Sequence, residues 1–145
     1  MDPKEPIDFY FDFLSMYGYF ASLRIETIAA RHGRRVRWHS MLLGVSVMKT
    51  MGLKPLLDTP LKGDYVVHDT RRYVRRHSLQ IARQPTDPMM DPRPAARAFY
   101  WLRRQHPGTE TAFAREAYHR YWHLAQDLGR PELVADIASV IGLEA

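Results

Sequence analysis

The β-strand patterns of this chain are confined to its first 41 residues, and every later element has a helical pattern. Ile7 to Phe13 alternates aspartate with aromatic residues at a period of two, which predicts a strand. Residues 19–32 have a helical pattern that ends at Gly33, and Val36 to Met41 predicts a second short strand. A strand, a helix and a strand within about 35 residues predict the crossover unit of a parallel sheet.

The rest of the chain predicts helices and no further strand. Thr109 is the expected N-cap of one of these helices, and Pro131 occupies the first position of another. The predicted helices span 63–77, 95–105, 109–128 and 131–141. Two parallel strands are not a stable sheet by themselves, since three or more are usually needed. We therefore expect either that helices cover a very small sheet or that strands of the sheet are missing from this chain.

The composition is that of an ordinary globular domain with a basic charge balance. The chain has 145 residues, and 21 Lys and Arg against 16 Asp and Glu give a net charge of +5. That charge permits nucleic acid or small acidic ligands as partners. The absence of cysteine excludes disulfide frameworks, catalysis by a thiolate of the protein itself and cysteine-based metal sites. No apolar run is long enough to span a membrane and the first residues do not resemble a signal peptide, so we expect a soluble cytoplasmic protein.

Ser15 stands where the first predicted strand gives way to the following helix. Ligands of open α/β sheets bind at the carboxyl ends of strands, beside helix N-termini. The Ser15 hydroxyl and the free N–H groups of the first helical turn together suit an anion, and the helix dipole favours negative charge there. The same position also suits a serine that only caps the helix. Position alone leaves both roles open.

The segment around Ser15 resembles the opening of the 2-hydroxychromene-2-carboxylate isomerases, which belong with the kappa-class glutathione transferases in the DsbA-like branch of the thioredoxin fold. These isomerases carry the pattern F-Y-F-D-F-x-S-P-Y-x-Y-L-A, and this chain runs from Phe9 to Ala21 in the same order. Three further matches follow in register along the chain. They are Leu42-Leu43-Gly44 with Met48 to Gly52 and Lys54-Pro55, then Pro60 to Tyr65 with Asp69 and the helix through Arg76, and last Ala95 to Leu102.

The resemblance implies an α/β, thioredoxin-like fold, represented here by its N-terminal strand–helix–strand part, with a predominantly helical domain inserted into it. Residues 1–45 are then the N-terminal part of the thioredoxin-like domain, and residues 46–145 form the helical insert. In the family the chain continues into a Val-Pro-Thr loop, a closing β-hairpin and a last helix, which this sequence does not reach. We expect half of the glutathione cleft to be absent. Either a partner supplies that half, or the chain is a truncated and non-catalytic product.

The resemblance also implies glutathione as cofactor and an aromatic carboxylate as substrate. Ser15 stands where disulfide-forming relatives have the first cysteine of a Cys-x-x-Cys turn, so it is the expected partner of the glutathione thiolate, and Tyr17 lies in the same turn. Lys49 and Lys62 match family lysines, with an ordinary solvated surface as the alternative for both. The implied reaction is glutathione-dependent isomerisation of 2-hydroxychromene-2-carboxylate in the degradation of aromatic compounds, or a kappa-class transferase reaction. The relatives pair as homodimers, and no metal, membrane or nucleic acid is implied.

Two residues depart from the family pattern near this site. The proline that follows the serine is Met16 here, which loosens the first helical position without removing a reactive group. The asparagine that contacts glutathione in many relatives is Leu53 here, and a leucine side chain cannot make that polar contact. Leu53 therefore favours the non-catalytic alternative.

Two other clusters have a functional and a structural interpretation. Glu116, His119 and His123 have a spacing that metal ligands use on helices, but they are predicted to face solvent. The basic segment Arg71–His77, together with Arg83, predicts either contacts to nucleic-acid phosphates or a solvated helix face. We favour the solvated face because no nucleic-acid-binding signature surrounds it.

The apolar face of the helix that carries the histidines is predicted to comprise Phe113, Ala117, Tyr121, Leu124 and Leu128. The aromatic residues expected as core or as walls of a substrate pocket are Phe99, Tyr100, Trp101, Tyr118 and Trp122.

Overall fold

The computed structural model describes residues 5–143 of the chain. Both predicted strands are confirmed, and the α-helices lie between and after them in the expected order. The elements are β1 (Ile7–Phe11), α1 (Met16–Ser22), α2 (Ile25–Arg31), β2 (Val36–Ser40), α3 (Lys62–Arg76), α4 (Arg93–Gln105), α5 (Glu110–Tyr118) and α6 (Pro131–Val140). Shorter turns are π-helical at Gly44–Lys49 and His119–His123 and 3₁₀-helical at Leu56–Asp58. Within residues 5–143, no helix is long and apolar enough to cross a lipid bilayer.

The two strands pair in parallel, with Phe9 opposite Trp38 and Phe11 opposite Ser40. Successive side chains of a strand point to opposite faces, so the phenylalanines of β1 share one face with Trp38. On that face Phe11 and Trp38 are buried, and their rings pack edge to face at 5.4 Å. This aromatic face is the one that the helices cover.

The opposite face of the sheet is polar and exposed. The Asp8 carboxylate accepts hydrogen bonds from Arg37 at 2.6 Å and lies 2.7 Å from His39. The Arg37 guanidinium holds the pKa of Asp8 well below its ordinary value, and His39 adds to the effect. Tyr10 stacks on the His39 ring at 4.7 Å and remains exposed.

The single helix predicted over residues 19–32 is wrong, because the structure divides it into α1 and α2. The Ser22 hydroxyl donates to the Tyr19 carbonyl at 2.6 Å, and the N–H of Arg24 bonds Ala21 in a tighter, 3₁₀-type turn. Serine side chains that bond the preceding turn bend helices in this way. The break lets α1 pack its aromatic residues against the core while α2 runs back towards β2.

One buried cluster joins the aromatic face of the sheet to the helices. Phe11 contacts the Phe99 ring of α4 at 5.4 Å and the Tyr118 ring of α5 at 5.6 Å. Phe13 contacts Phe113 at 6.4 Å. The cluster therefore contains residues from both sides of the predicted boundary between residues 45 and 46.

The helix predicted over 109–128 is shorter in the structure, because α5 gives way to a π-helical turn at His119. The extra residue in that turn shifts the helical phase, so Trp122 is buried while Leu124 is exposed. The prediction of Leu124 on the buried face was therefore wrong. Thr109 precedes α5 as expected, but its hydroxyl donates to the His106 carbonyl and caps no N–H of the helix.

Candidate functional site

Ser15 lies in the turn between β1 and α1 with an extended backbone and caps the N-terminus of α1. Its Oγ accepts a hydrogen bond from the N–H of Gly18 at 3.0 Å. The side chain is only partly buried, and among residues 5–143 its O–H proton has no recorded acceptor. The structural role considered for this serine is thus present, and the hydroxyl still has a proton to donate.

The Asp12 carboxylate fixes the turn from the inside. Its two oxygens accept from the N–H of Leu14 at 2.8 Å and from the N–H of Leu43 at 2.6 Å. Asp12 is buried, and burial raises its pKa, while the two N–H donors act in the opposite direction. The carboxylate therefore ties the loop after β2 to the turn that presents Ser15.

Two aromatic side chains brace the same turn from the helical part of the chain. The Tyr118 hydroxyl donates to the Asp12 carbonyl at 2.9 Å, and the Trp122 indole N–H donates to the Phe13 carbonyl at 3.2 Å. Both side chains are buried. The Asp12 carbonyl also accepts from the N–H of Ser15 at 2.9 Å, so the Tyr118 hydroxyl adds a second hydrogen bond to it. The Trp122 bond gives the buried indole N–H an acceptor in the turn.

Gly18 is required by close packing in the first turn of α1. A Cβ atom there would lie 2.7 Å from the Tyr118 hydroxyl and 3.2 Å from the Ser15 Cβ. Sequence reasoning gave Asp12 and Gly18 no role in the site, and it expected Tyr118 only as core or as a pocket wall. The one local signal of the buried Asp12 carboxylate was its position directly after the aromatic strand β1.

Tyr17 contacts α3 through its hydroxyl. That hydroxyl donates to the Asp69 carboxylate at 2.8 Å, and Arg72 bonds the same carboxylate at 2.5 Å. Partial burial raises the pKa of Tyr17 to about 12, and Asp69 adds to the shift. The Tyr17 hydroxyl and the Arg72 guanidinium lower the pKa of Asp69. Tyr17 thus links α1 to α3, and its hydroxyl proton is already donated to Asp69.

Lys49 and Lys62 are exposed and make no recorded hydrogen bond or ion pair within the described part of the chain. Lys49 ends the π-helical turn at Gly44–Lys49, and Lys62 is the first residue of α3. Their exposure matches the solvated-surface alternative. Gly63, next to Lys62, packs so tightly on the Leu57 carbonyl that a Cβ atom would overlap it. The structure therefore brings Ser15 and Tyr17 into one turn and shows no contact that joins the two lysines to it.

Two cavities flank α1. One of about 160 Å³ is lined in part by Met16 and Thr70, and one of about 360 Å³ is lined in part by Tyr17, Phe20 and Tyr73. Ser15 lines neither of them. The serine is therefore reached from solvent at the turn itself.

Several members of the remaining predicted clusters have partners within the fold. Arg83 is buried, donates to the carbonyls of Tyr121 and Pro88, and stacks over the Tyr121 ring at 4.2 Å. Arg83 therefore fits neither interpretation of the basic segment, because it is not on the favoured solvated face and its guanidinium bonds backbone carbonyls instead of facing a phosphate. In the metal-like cluster, Glu116 accepts from Arg120 at 2.9 Å, and the rings of His119 and His123 stack at 4.5 Å.

Comparisons with known proteins agree with this fold. The model of the DSBA-like thioredoxin domain matches residues 6–145. The chain is 29% identical over 76 residues to the 2-hydroxychromene-2-carboxylate isomerase of Pseudomonas putida. The matched segment covers 52% of this chain and 37% of that protein. The matched segment thus spans little more than a third of that relative.

Two solved structures share the architecture. A 2-hydroxychromene-2-carboxylate isomerase superposes with a TM-score of 0.73 at 21% identity, covering 94% of this chain and 66% of that one. A proposed protein disulfide isomerase from Nitrosomonas europaea superposes with a TM-score of 0.66 at 15% identity, covering 97% of this chain and 66% of its own. The predicted α/β, thioredoxin-like fold is confirmed.

Proposed function

The chain belongs to the family of DSBA-like thioredoxin domains, and from this we propose that it is a glutathione-dependent isomerase of the 2-hydroxychromene-2-carboxylate type, with Ser15 beside the glutathione sulfur. The similarity to the isomerase of Pseudomonas putida and to a solved isomerase supports the reaction class. The observation that carries the proposal is the partly exposed Ser15 hydroxyl at the N-terminus of α1.

The residues of the turn fit a thiolate ligand. The Ser15 Oγ already accepts from Gly18, so its own O–H proton is available for donation to a bound sulfur. The N–H groups of Met16 and Tyr17 have no acceptor within the helix, because the first N–H groups of a helix lack intrahelical partners. A hydroxyl donor and a helix N-terminus both lower a thiol pKa. Since the chain has no cysteine, the sulfur has to come from the cofactor.

The chain's part in the reaction is to bind and orient. Glutathione, when bound, would supply the thiolate nucleophile that reversible isomerisation of the conjugated substrate needs. Ser15 holds its proton towards the sulfur site and stabilises negative charge there. Asp12, Tyr118 and Trp122 keep the turn fixed while that charge changes. A kappa-class transferase reaction would use the same hydroxyl in the same way.

Isomerisation of 2-hydroxychromene-2-carboxylate by the purified chain, followed by absorbance with and without reduced glutathione, tests the proposed reaction. We expect turnover that requires glutathione and falls about a hundredfold in Ser15→Ala, as for the loss of one catalytic hydrogen-bond donor. The exposed Ser139 of α6 gives a matched control, Ser139→Ala, that keeps full activity. Turnover without glutathione, or equal turnover in Ser15→Ala, would contradict the proposal.

A non-catalytic binding protein is the second candidate, and Leu53 favours it. Its side chain is apolar and exposed, so it offers no polar group to a ligand. The chain spans about two thirds of the solved isomerase structure. Glutathione binding without turnover would support this second function.

We further propose that the chain forms a homodimer. Within residues 5–143, β1 pairs with β2 alone, and its other edge has no partner strand. Unpaired strand edges are open to pairing with another chain. Size-exclusion chromatography with light scattering should give twice the 17.0 kDa chain mass, and a monomer at every concentration would refute the dimer.

A further inference from the structure

The cavity of about 160 Å³ that flanks α1 lies between α3 and the chain segment that follows α3. Arg71 and Arg75 line it from the helix, and Gln84 is among the residues that line it from the segment. Its volume is below the range of about 300–1,000 Å³ typical of small-molecule pockets. The cavity therefore suits a compact group, and Ser15 does not line it.

The arginines of the basic segment Arg71–His77 differ in their partners. Arg72 is paired with Asp69 at 2.5 Å. The guanidinium groups of Arg71 and Arg75 have no hydrogen-bond, ion-pair or ring partner within residues 5–143. The two arginines that line the cavity are therefore available to a ligand.

The charge that lines the cavity is entirely positive. Arg71 and Arg75 are four residues apart, which places their side chains one turn apart on the same face of α3. Like charges at this spacing repel each other, and no acidic residue lines the cavity to offset them. Two uncompensated positive charges on one wall match a ligand with two negative charges.

The other walls of the cavity are largely apolar. Met16 lines it from α1, Val74 from α3, and Ile81 and Pro85 from the connecting segment. Apolar surroundings lower the local dielectric constant, so an ion pair there is stronger than one on an open surface. A compact anion gains more from these two arginines than from an exposed pair.

The segment opposite α3 is held in place by hydrogen bonds. Arg83 is buried and donates to the Tyr121 carbonyl, and its backbone N–H bonds the Trp122 carbonyl at 3.2 Å. The next residue, Gln84, donates its backbone N–H to the Asp87 carboxylate at 2.8 Å. The side-chain amide of Gln84 has no recorded partner in the described part of the chain. This amide adds a neutral donor to a fixed wall.

We propose that this cavity binds a phosphate group, either inorganic phosphate or a small phosphate monoester, with its oxygens on Arg71 and Arg75 and on the Gln84 amide. Guanidinium groups bind phosphate oxygens in pairs through charge-assisted hydrogen bonds. A phosphate monoester carries close to two negative charges at neutral pH, whereas a phosphodiester of nucleic acid carries one. The site does not depend on glutathione or on Ser15, so it stands or falls separately from the proposed isomerase reaction.

Titration calorimetry with inorganic phosphate at about pH 8, where phosphate is a dianion, tests the site. We expect saturable binding that weakens about tenfold or more in Arg71→Gln and in Arg75→Gln, since each removes charge-assisted hydrogen bonds. The matched control is Arg76→Gln, because Arg76 is an exposed arginine of α3 that does not line the cavity. Its loss should weaken binding by no more than about twofold, because salt screens exposed charges. Ser15→Ala should bind phosphate as the wild type does.

Methyl phosphate separates the two sources of the phosphate group. Tighter binding of methyl phosphate than of inorganic phosphate would support a monoester as the ligand, and the reverse order would support free phosphate. Saturating phosphate should also raise the melting temperature of the wild type and leave that of the Arg71→Gln, Arg75→Gln double variant unchanged. The substituted side chains are exposed, and unchanged circular dichroism spectra would confirm that the variants fold.

Three results would overturn the proposal. The first is phosphate binding no tighter than that of chloride. The second is equal weakening of phosphate binding in Arg76→Gln and in the two cavity variants. The third is a single-stranded oligonucleotide that binds more tightly than methyl phosphate and is weakened equally by all three substitutions, which would identify the whole basic face of α3 as a nucleic-acid contact.

Discussion

At the scale of single residues, Ser15 has a structural role and a proposed chemical one, and substitutions can separate them. Ser15→Ala removes the cap on Gly18 and should lower the free energy of unfolding by about 1 kcal/mol. Ser15→Asp keeps a capping oxygen and should unfold at nearly the wild-type urea concentration, because aspartate caps as well as serine. Urea denaturation followed by circular dichroism measures both. A cap contribution is absent if Ser15→Ala is as stable as the wild type.

Gly18 is the residue where the packing of the site tolerates least change. Gly18→Ala should lower the free energy of unfolding by about 1–3 kcal/mol, because its Cβ would be pressed against the Tyr118 hydroxyl. Tyr118→Phe removes that oxygen, so Gly18→Ala should cost less in the Tyr118→Phe background. Urea denaturation of the four proteins in this double-mutant cycle measures the difference. Equal costs in both backgrounds would show that the close contact is not the cause.

The stability of the chain should depend on pH through Asp12. Because burial raises its pKa in the folded chain, its contribution to stability is full below the ordinary aspartate pKa of 3.8 and is lost as the pH rises through the folded pKa. The wild type should therefore lose stability relative to Asp12→Asn as the pH rises from about 3 to 7. Urea denaturation of both proteins across that range measures the trend. A stability difference that grows in favour of the wild type with rising pH would contradict it.

The sequence placed Ser15 correctly at the end of β1, because strand alternation and a helix start are local patterns. It did not predict the residues that hold the turn. The Tyr118 hydroxyl bonds the Asp12 carbonyl across a sequence separation of 106, and no local sequence pattern predicts a contact between positions so far apart. The proposed roles of Lys49 and Lys62 remain predictions, because they came from the family resemblance and the structure joins neither lysine to Ser15.

At the scale of elements, the existence of the strands and helices was predictable and their interruptions were not. The Ser22 hydroxyl breaks the first helix through a hydrogen bond to the Tyr19 carbonyl. A serine inside a helical pattern does not by itself predict such a break. The π-helical turn at His119–His123 lets Tyr121 and Trp122 both enter the core. Regular 3.6-residue periodicity cannot anticipate that insertion.

The start of α3 stores backbone strain at Leu61. Leu61 has φ +65° and ψ −37°, and the N–H of Lys62 bonds the Pro60 carbonyl at 2.8 Å, which makes a γ-turn of the strained type. The side chain is 89% exposed, so it contributes little packing. Leu61→Gly should raise the free energy of unfolding by about 1 kcal/mol, because glycine adopts positive φ without strain.

A matched control for that prediction is Leu53→Gly. Leu53 is also an exposed leucine of a connecting segment but has no positive φ. Its replacement should lower the free energy of unfolding through the added freedom of the unfolded chain. The two variants should therefore shift the urea midpoint in opposite directions. Shifts in the same direction would show that the Leu61 backbone is not strained.

At the scale of the whole molecule, the switch from strands to helices follows from the fold family. One buried cluster contains aromatic residues of β1 and β2 together with Phe99, Phe113 and Tyr118 from the later helices. Composition and periodicity predicted that helices follow two strands, but the thioredoxin-like arrangement came from the ordered motifs. Tyr100 and Trp101 were expected as core or as walls of a pocket, and the structure leaves both exposed on α4, at 40% and 55%. The sequence does not reveal that the loop after β2 lies beside these two residues of α4.

The central claim is that the Ser15 hydroxyl holds a glutathione thiolate at the start of α1. Titration calorimetry with reduced glutathione on the wild type, Ser15→Ala, Ser15→Asp and the Ser139→Ala control tests it most directly. We predict saturable binding at millimolar ligand in the wild type and the control. Binding should weaken about tenfold or more in Ser15→Ala and disappear in Ser15→Asp, where a second negative charge faces the sulfur. Equal affinity in all four proteins, or no binding by the wild type, would contradict the account.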